Sequence, residues 1–414
     1  MNATTTSGVA KKTSQAKILS NKDFSVVFAP TIHQVKEEWV DVAGPASFFL
    51  SDRYLASLEA NPPAGMQFAY LLFYKKEIPV GIAVMQTLPF KADKSLNEPD
   101  KRDGTDACFF RAFGRYLKGL VASKVEFTTL ICGNMLITGE HGFYFNDQLV
   151  SETQSLDLLE EGLEYAQERL AEREIKTDVT FIKDFFENTR ETTRHLNNEG
   201  YYEFCAQPNM ILEVRDDWKS FDDYLAAMTS KYRTRAKRAY KKLDPIYSRV
   251  LDSNEIESYK KEIYDLYLNV TENAGFNVVS LNENYLQGLK DHLGDDFQLR
   301  GYFFENELVA FYTTIKNHSE LEAHFVGYNP TYNAEHQVYL SMLYDMIRDG
   351  IEAGYKTINF ARTALEIKSS VGAEPHEMFC YIRHRHQFAN KFLKPLMEYL
   401  SPELDWTPRS PFKD

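Results

Sequence analysis

The 414-residue sequence has few cysteines and no long apolar run. Its four cysteines (Cys108, Cys132, Cys205 and Cys380) are far apart and form no CxxC pair. This spacing argues against a structural zinc site and a disulfide framework, and it fits a reducing cytoplasm. No segment approaches about 18 consecutive apolar residues, so no membrane span is predicted. Residues 1–23 are rich in Ser, Thr and Lys without an apolar core, which predicts a flexible tail and not a signal peptide.

Several sequence signatures of well-known enzyme classes are also missing. There is no GxSxG, HExxH, Walker or dinucleotide-binding motif, so the hydrolase, zinc protease and nucleotidase classes have no support. The formal net charge of −13 argues against broad coating of nucleic acid, so no DNA partner is predicted. No metal site is predicted either. The hydrophobic share of 43% is ample for globular cores.

One segment departs from the acidic balance of the chain. Residues 230–242, SKYRTRAKRAYKK, contain seven basic residues and no acidic one. Ser220 and Asp223 have capping-box spacing, which predicts one helix that runs from there to about Leu243. The helix would carry a packing stripe and a cationic stripe, formed by Tyr232, Ala236, Ala239 and Leu243 and by Lys231, Arg235, Arg238 and Lys242. The cationic stripe favours an anionic partner, with Arg235 and Arg238 as donor-binding candidates, and a plain solvated helix face is the alternative.

A hairpin pattern occurs twice in the sequence. Residues 68–90 hold two apolar runs around a charged turn, and residues 297–317 repeat this arrangement. The corresponding residues Phe73 and Phe304 lie 231 positions apart, which favours duplication of a large unit. After each hairpin come a strand, an amphipathic helix and another strand. The pattern predicts two mixed α/β units of similar build with matching hairpins.

Polar residues mark the predicted strand ELEAHFVGY (320–328). Glu322, His324 and Tyr328 share one parity, so we expect them on one face of the strand. Groups of these types can accept or donate a proton or a hydrogen bond, which makes them catalytic candidates. The alternative is a solvated outer face, with Phe325 packed inside.

Charged residues also follow the next predicted strand, in NFARTALEIKSSVGAEPHE (359–377). Arg362 and Lys368 could hold a phosphate or carboxylate, and Glu366 is a further catalytic candidate. A surface ion pair of Glu366 with Arg362 or Lys368 is the alternative.

Three other stretches carry residues of interest. In the glycine-rich CGNMLITGEHGFYF (132–145), Asn134 could line the same cleft, or the glycines could simply make turns. In NPTYNAEHQVYLSM (329–342), His336 is a binding candidate. CYIRHRHQF (380–388) has two histidines without a third ligand nearby, so a basic edge strand is predicted there and not a metal site.

The order of hairpin, strand, long helix and strand resembles the GNAT acyltransferase fold, and two such units with a basic helix resemble its FemAB-like branch. SKYRTRAKRAYKK and NFARTALEIKSSVGAE are the stretches most similar to that branch. The resemblance implies tandem GNAT-like domains, each with a mixed sheet flanked by helices, and Glu322, His324 and Arg362 near one cleft. It departs from the usual pattern where a GNAT protein has its glycine-rich pyrophosphate loop, because neither loop before a long helix contains that motif.

The resemblance implies an N-acyltransferase that acts on an amine in cell-envelope, polysaccharide or lipid metabolism. The resemblance implies an anionic donor, either acyl-CoA or acetyl-CoA or the end of an aminoacyl-tRNA, and a small-molecule or lipid-linked amine acceptor. A non-catalytic protein that binds an anionic glycolipid or RNA end is the alternative. The expected organisation is a tail, a first domain at 24–215, a basic helical segment at 216–248 and a second domain at 249–414, in a cytoplasmic protein.

Overall fold

The computed structural model describes residues 16–91, 126–273, 279–391, 393 and 406–413. In chain order the strands are β1 (Lys17–Ile18), β2 (Phe24–Ala29), β3 (Gln67–Lys75), β4 (Ile78–Lys91), β5 (Glu126–Cys132), β6 (Phe143–Phe145), β7 (Val179–Phe186), β8 (Tyr202–Glu213), β9 (Tyr247–Val250), β10 (Phe297–Phe304), β11 (Glu307–Asn317), β12 (Glu320–Tyr328), β13 (Thr357–Asn359) and β14 (Glu374–His384).

Helices connect and cover these strands. The α-helices are α1 (Lys36–Ala43), α2 (Asp52–Ala60), α3 (Glu152–Ala171), α4 (Arg190–Thr193), α5 (Phe221–Ala227), α6 (Ser230–Leu243), α7 (Ser253–Ser258), α8 (Lys260–Asn273), α9 (Tyr285–Leu293), α10 (Pro330–His336), α11 (Val338–Glu352) and α12 (Leu365–Ser369).

The two halves of the chain build the same strand order in one continuous sheet. The first set runs β2-β3-β4-β5-β7-β14 from the edge toward the centre, and the second runs β9-β10-β11-β12-β13-β8. In each set three antiparallel pairings are followed by one parallel pairing, β5 with β7 or β12 with β13. A long helix, α3 or α11, makes the crossover that a parallel pair requires. The predicted mixed α/β fold with two similar units is therefore confirmed.

Both predicted hairpins are present. Strands β3 and β4 turn at Lys76, and β10 and β11 turn at Glu305 and Asn306. All three turn residues have positive φ, at 58°, 47° and 71° respectively. This conformation matches the right-handed twist of two-residue hairpin loops.

The centre of the sheet is made by strands that cross between the halves. Strand β8 leaves the first half and pairs with β13, while β14 leaves the second half and pairs with β7. β8 and β14 then pair with each other. The predicted limits at 24–215 and 249–414 therefore do not coincide with the limits of the two strand sets. The prediction of an edge strand at residues 380–388 is wrong, because β14 is paired on both sides, with β7 and with β8.

The two strand sets also share one apolar layer. A single cluster of buried residues joins Trp39 and Tyr54 of the first half to Tyr267 and Tyr285 of the second. On the opposite face, α6 and α11 cover the second set and α3 covers the first. Because the halves bury apolar area against each other, neither has a separate core on the shared face.

The predicted tail, residues 1–23, includes residues that belong to the sheet. Residues 1–15 of that tail lie outside the described residues. Strand Lys17–Ile18 pairs with β2, and the side chain of Leu19 is buried. The segment from residue 17 therefore packs on the sheet.

The predicted helix from Ser220 to Leu243 is two helices in the structure. The capping box of Ser220 and Asp223 is confirmed at the start of α5. The chain becomes extended at Met228, where Phe412 pairs with it as an isolated bridge, and the Thr229 amide donates to the Pro411 carbonyl at 2.9 Å. The C-terminal segment takes the backbone hydrogen bonds that would otherwise continue the helix.

Candidate active site

An opening forms where β12 and β13 part. The two strands pair only at three positions, from Glu320 with Thr357 to Glu322 with Asn359. Strand β12 then continues to Tyr328, paired on its other edge with β11. Along the part of the chain that the structure describes, no strand pairs with the remaining edge of residues 323–328. Unpaired backbone N–H and C=O groups in a partly buried strand need hydrogen-bond partners, so this edge can receive an extended ligand.

Glu322 lies at the base of this opening. Its side chain is 1% exposed, and its Oε1 accepts a hydrogen bond of 3.0 Å from the Asn359 amide. Burial and the neighbouring carboxyl of Glu320 raise its pKa well above the usual range of a glutamate. A carboxylate whose pKa is raised by burial is a stronger base than the carboxylate of an exposed glutamate.

A β-bulge changes which residues share a face with Glu322. Between Tyr312 and Thr314 of β11 the pairing partner moves from Val326 to Ala323, so β12 has one extra residue there. His324 and Phe325 consequently both pack in the core cluster of Tyr285.

Tyr328 therefore points to the opposite face of β12. Its ring lies 5.8 Å from that of Tyr339, within the cluster of α6 and α11. The predicted shared face is confirmed for Glu322 and His324 but is wrong for Tyr328, because counting by parity assumes an uninterrupted strand.

His324 is held on both ring nitrogens. Nε2 lies 3.3 Å from the Tyr285 hydroxyl, and Nδ1 lies 3.4 Å from the Thr313 hydroxyl. Burial lowers the pKa of His324 to about 3, so the ring is neutral at physiological pH. A neutral imidazole with both nitrogens engaged is a poor proton acceptor for an attacking amine.

Arg362 belongs to a buried ion cluster at the centre of the sheet. It pairs with Asp184 of β7, which also pairs with Lys183. Burial alone would raise the pKa of Asp184, but the charges of Arg362 and Lys183 outweigh it and lower that pKa. Arg362 Nε also donates to the Gln207 carbonyl at 3.1 Å. These contacts join the two halves and occupy the guanidinium group.

Hydrogen bonds extend this ion cluster to Tyr54. The Lys183 ammonium donates to the backbone carbonyl of Asn134 at 2.6 Å. The side-chain amide of Asn134 donates to the Tyr54 hydroxyl at 3.0 Å. Arg362 and Asn134 are therefore parts of one buried polar cluster, and no direct bond joins Arg362 to Glu322 or His324 among the described residues.

Lys368 and Glu366 hold backbone segments. Lys368 is buried and donates to the carbonyls of Ala361 and Arg362. Glu366 is exposed and binds the C-terminal segment, through the Thr407 amide at 3.2 Å and the guanidinium of Arg409 at 3.1 Å. Neither the predicted pair of Glu366 with Lys368 nor one with Arg362 forms in the structure. A catalytic role for Glu366 stays a prediction that these contacts do not favour.

The basic helix α6 packs as the sequence predicts. Tyr232, Ala236, Ala239 and Leu243 are its buried residues. Among the residues that the structure describes, none of its seven cations forms an ion pair with a carboxylate.

The cations of α6 cover more of the helix than the one predicted stripe. At about 100° per residue, Arg233, Lys237 and Lys241 lie across the solvent face from the stripe that contains Arg235 and Arg238. The buried stripe is thus flanked by cations on both sides. His336 lies beside the end of this helix, with Nδ1 2.8 Å from the Lys242 carbonyl.

Sequence reasoning missed four buried polar residues around these sites, namely Tyr54, Lys183, Asp184 and Tyr285. Tyr54 and Tyr285 lie on amphipathic helices, where a tyrosine looks like any core aromatic residue. Asp184 lies in the apolar strand β7, and a charged pair inside such a strand was the one signal that could have identified it.

Comparison with known protein families agrees with this geometry. Residues 230–376 match the acetyltransferase (GNAT) domain family. The match begins at the first residue of α6 and includes both strands of the opening. The prediction of a GNAT-type acyltransferase is therefore confirmed at the level of this domain.

Several solved structures of low sequence identity align with most of this chain. FemX is 12% identical, over 83% of this chain and 97% of FemX, with a TM-score of 0.48. A tandem GNAT protein from the clavulanic acid biosynthesis pathway is 10% identical, over 87% and 98%, with a TM-score of 0.48. L-PGS from Bacillus licheniformis is 13% identical, over 83% and 95%, with a TM-score of 0.44. At this level the similarities carry no argument about the reaction. No curated protein sequence matches the chain.

Two further observations concern membrane-spanning helices and metal-binding groups. Across the described residues, no helix combines the length and apolar character needed to cross a membrane. In the same residues, no group of three or more His, Cys, Asp or Glu side chains is arranged to hold a metal ion.

Proposed function

We propose that this chain transfers an acyl or aminoacyl group from an anionic donor to an amine, with the opening between β12 and β13 as the reaction site. The observation that carries the proposal is the free edge of residues 323–328, which begins directly after Glu322 within the GNAT domain. An extended donor arm can bond to this edge as an added strand would, which brings its acyl carbonyl near Glu322.

The chemistry needs a group that accepts the proton of the amine. The amine nitrogen forms a bond to the acyl carbon, and the bond from that carbon to the leaving sulfur or oxygen breaks. Glu322 accepts the ammonium proton, directly or through water, and the leaving group takes up a proton in turn. The raised pKa of Glu322 suits this role because the group is a stronger base than an ordinary glutamate.

The donor should be anionic because α6 presents cations that form no ion pair among the described residues, on an otherwise acidic protein. Acyl-CoA and an aminoacyl-tRNA both carry phosphates that such a helix attracts. The acceptor is an amine on a small molecule or a lipid-linked precursor of the cell envelope, of a polysaccharide or of a lipid.

The test is a mass-spectrometric search for acylated amine with a panel of acetyl-CoA, long-chain acyl-CoA and aminoacyl-tRNA donors. With a donor that reacts, Glu322→Gln should lower kcat about 100-fold or more, as loss of a general base does, while donor affinity stays the same. Glu374→Gln is the matched control, since Glu374 is an exposed residue of β14. An unchanged kcat in Glu322→Gln would show that Glu322 is not the proton acceptor of the reaction.

A negative result with every donor would favour the non-catalytic alternative. In that case a thermal shift with an anionic glycolipid or RNA end, without product formation, would identify a binding protein.

A further inference from the structure

Three polar side chains, Glu322, Asn359 and Asn209, form a polar strip across the sheet at the base of the opening. Glu322 of β12 pairs in register with Asn359 of β13, and Asn359 pairs with Ile211 of β8. Residues that pair directly point to the same face of a sheet, and so does the residue two positions along a strand. Asn209 lies two residues from Ile211 in an unbroken stretch of β8, so its side chain shares the face of Glu322 and Asn359.

The residues that alternate with the polar strip support this assignment. They are apolar and pack together in the cluster on the opposite face, namely Leu321, Ile358, Met210 and Leu212. Because β8 runs antiparallel to β13 and β13 runs parallel to β12, the step from Ile211 back to Asn209 follows the direction in which β12 continues past Glu322. Asn209 therefore lies level with the start of the free edge, about two strand spacings or roughly 10 Å from β12.

Asn209 is buried without a hydrogen-bond partner. Its side chain is 0% exposed, and neither the oxygen nor the nitrogen of its amide has a partner among the described residues. Buried amides normally use both atoms, since an unpaired atom has lost its bonds to water without replacement. Asn359 shows the contrast, because its amide donates to Glu322 at 3.0 Å and accepts from the Ala361 backbone at 2.9 Å. Asn209 thus offers both kinds of hydrogen bond to a group that enters the opening.

We propose that Asn209 binds the amine acceptor through an uncharged polar group, a hydroxyl or an amide, next to the reacting amine. This inference rests on the proposed function, in which the donor arm lies along β12 and leaves the side of β13 and β8 for the acceptor. A neutral amide cannot balance a buried charge, and the Arg362 guanidinium is already paired with Asp184. A carboxylate or phosphate beside the amine is therefore disfavoured. Because the polar strip is covered from solvent, the opening has to widen for the acceptor to enter.

The kinetic test compares two acceptor amines of the same shape, glycinamide and isobutylamine, with a donor that reacts. The ratio of kcat/KM for glycinamide to that for isobutylamine should fall about tenfold or more in Asn209→Leu, because leucine has the branching of asparagine without its polar atoms. The intrinsic reactivities of the two amines cancel when this ratio is compared between protein forms. General damage to the site would lower both rates and leave the ratio unchanged.

Tyr344→Phe is the matched control for the kinetics. The Tyr344 hydroxyl is also buried without a hydrogen-bond partner, but it lies in the cluster on the opposite face of the sheet. Its removal should leave the ratio unchanged. An equal ratio in the wild type and Asn209→Leu, or an equal fall in Tyr344→Phe, would overturn the proposal.

Urea unfolding gives a second readout that needs no substrate. Asn209→Leu removes polar atoms without partners, so the urea midpoint should rise or stay the same. Asn134→Leu should lower the midpoint, because the Asn134 amide donates to the Tyr54 hydroxyl and accepts from the Leu136 backbone amide. Both replacements add the same volume, so the cost of overpacking is matched between them.

A loss in Asn209→Leu as large as that in Asn134→Leu would mean that the Asn209 amide is already bonded, for example to an internal water molecule, and would overturn the proposal. Absence of transfer in the wild type would count against the proposed function. The unfolding comparison would then decide by itself whether Asn209 is free to bind a ligand.

Discussion

The sheet has two parallel strand pairs, β5 with β7 and β12 with β13, and the space beyond the paired residues differs between them. Strand β5 pairs with β7 over four residues, after which the Gly133 amide bonds back to Val84 of β4 at 3.3 Å. The Lys183 side chain fills the space between the strands, and a Cβ at Gly133 would lie 2.4 Å from its Cγ. At the second pair, β12 leaves β13 after three residues and its edge stays free. The two strand sets thus have the same order, and one side chain fills the opening of the first.

The two openings also differ in charge. The first contains ions, because Lys183 and Asp184 are paired and buried. The second has no such ion pair among the described residues, and there burial raises the pKa of Glu322 and lowers that of His324 to about 3. Paired buried ions favour a fixed structure, whereas a buried carboxyl with a raised pKa at an opening is a candidate for proton transfer. We therefore expect substitutions at the first opening to affect stability and those at the second to affect the reaction.

The largest effect is expected from Asp184→Asn. The change leaves the cations of Lys183 and Arg362 buried without their anion, which should lower the free energy of unfolding by about 3–5 kcal/mol. Urea unfolding of this variant and of the exposed control Asp147→Asn measures the difference. A loss below about 1 kcal/mol would show that the central ion cluster does not hold the halves together.

The next effect is expected from Lys183→Met. Its ammonium donates to the carbonyls of Asn134 and Ile137 at 2.6 and 3.0 Å, so its removal should cost about 2 kcal/mol of stability. The kcat of acyl transfer should remain within about twofold of the wild type, a small effect on the scale where tenfold is 1.36 kcal/mol. Lys237→Met, on the exposed face of α6, is the control for stability. A large loss of kcat without a loss of stability would show that the first opening takes part in the reaction.

A smaller effect concerns the pH dependence of stability at Glu322. Its pKa is higher in the folded than in the unfolded protein, so the folded state keeps a proton that the unfolded state has lost. The stabilising contribution is complete below the unfolded pKa of about 4.3 and is lost as the pH rises through the folded pKa. Glu322→Gln cannot ionise. Its free energy of unfolding relative to that of the wild type should therefore rise by on the order of 1 kcal/mol from pH 5 to pH 8.

Urea unfolding at several pH values measures this slope, with Glu374→Gln as the control. Parallel pH profiles for the wild type and Glu322→Gln would mean that the pKa of Glu322 is the same in the folded and the unfolded protein. Glu322 would then be no stronger a base than an ordinary glutamate, which would contradict the raised pKa.

Local patterns in the sequence predicted much of the fold. Residues 68–90 and 297–317 predicted both hairpins, since period-two alternation and charged turns are properties of neighbouring residues. The spacing of Tyr232 and Ala236 likewise predicted the buried stripe of α6. These features depend on contacts close in sequence, which is why periodicity suffices.

The sequence could not predict features that depend on distant pairing. Strand β14 lies at the centre of the sheet because β7 and β8 supply both partners, and no local signal encodes that choice. The bulge at His324 depends on how β11 fits against β12, so parity misplaced Tyr328. Tyr54 and Tyr285 meet only because α2 and α9 pack together. The candidate site was therefore found where its residues share one strand and missed where the fold assembles it.

The smallest effect on stability is expected at the basic helix. Arg235→Gln with Arg238→Gln changes a solvated face without ion pairs among the described residues, so the free energy of unfolding should change by no more than about 0.5 kcal/mol. Donor binding should change more. A protein of net charge −13 repels a phosphate-bearing donor, and α6 reverses the local potential.

The donor KM of the double variant should accordingly rise several-fold at low salt, and the difference from the wild type should shrink as salt screens the cations. The control is Arg173→Gln with Lys176→Gln, which removes the same charge from the exposed segment after α3. If only net charge mattered, both double variants would raise KM equally. If α6 is a plain solvated face, neither would change it at any salt concentration. Only a rise confined to the α6 variant identifies this helix as the site that attracts the donor.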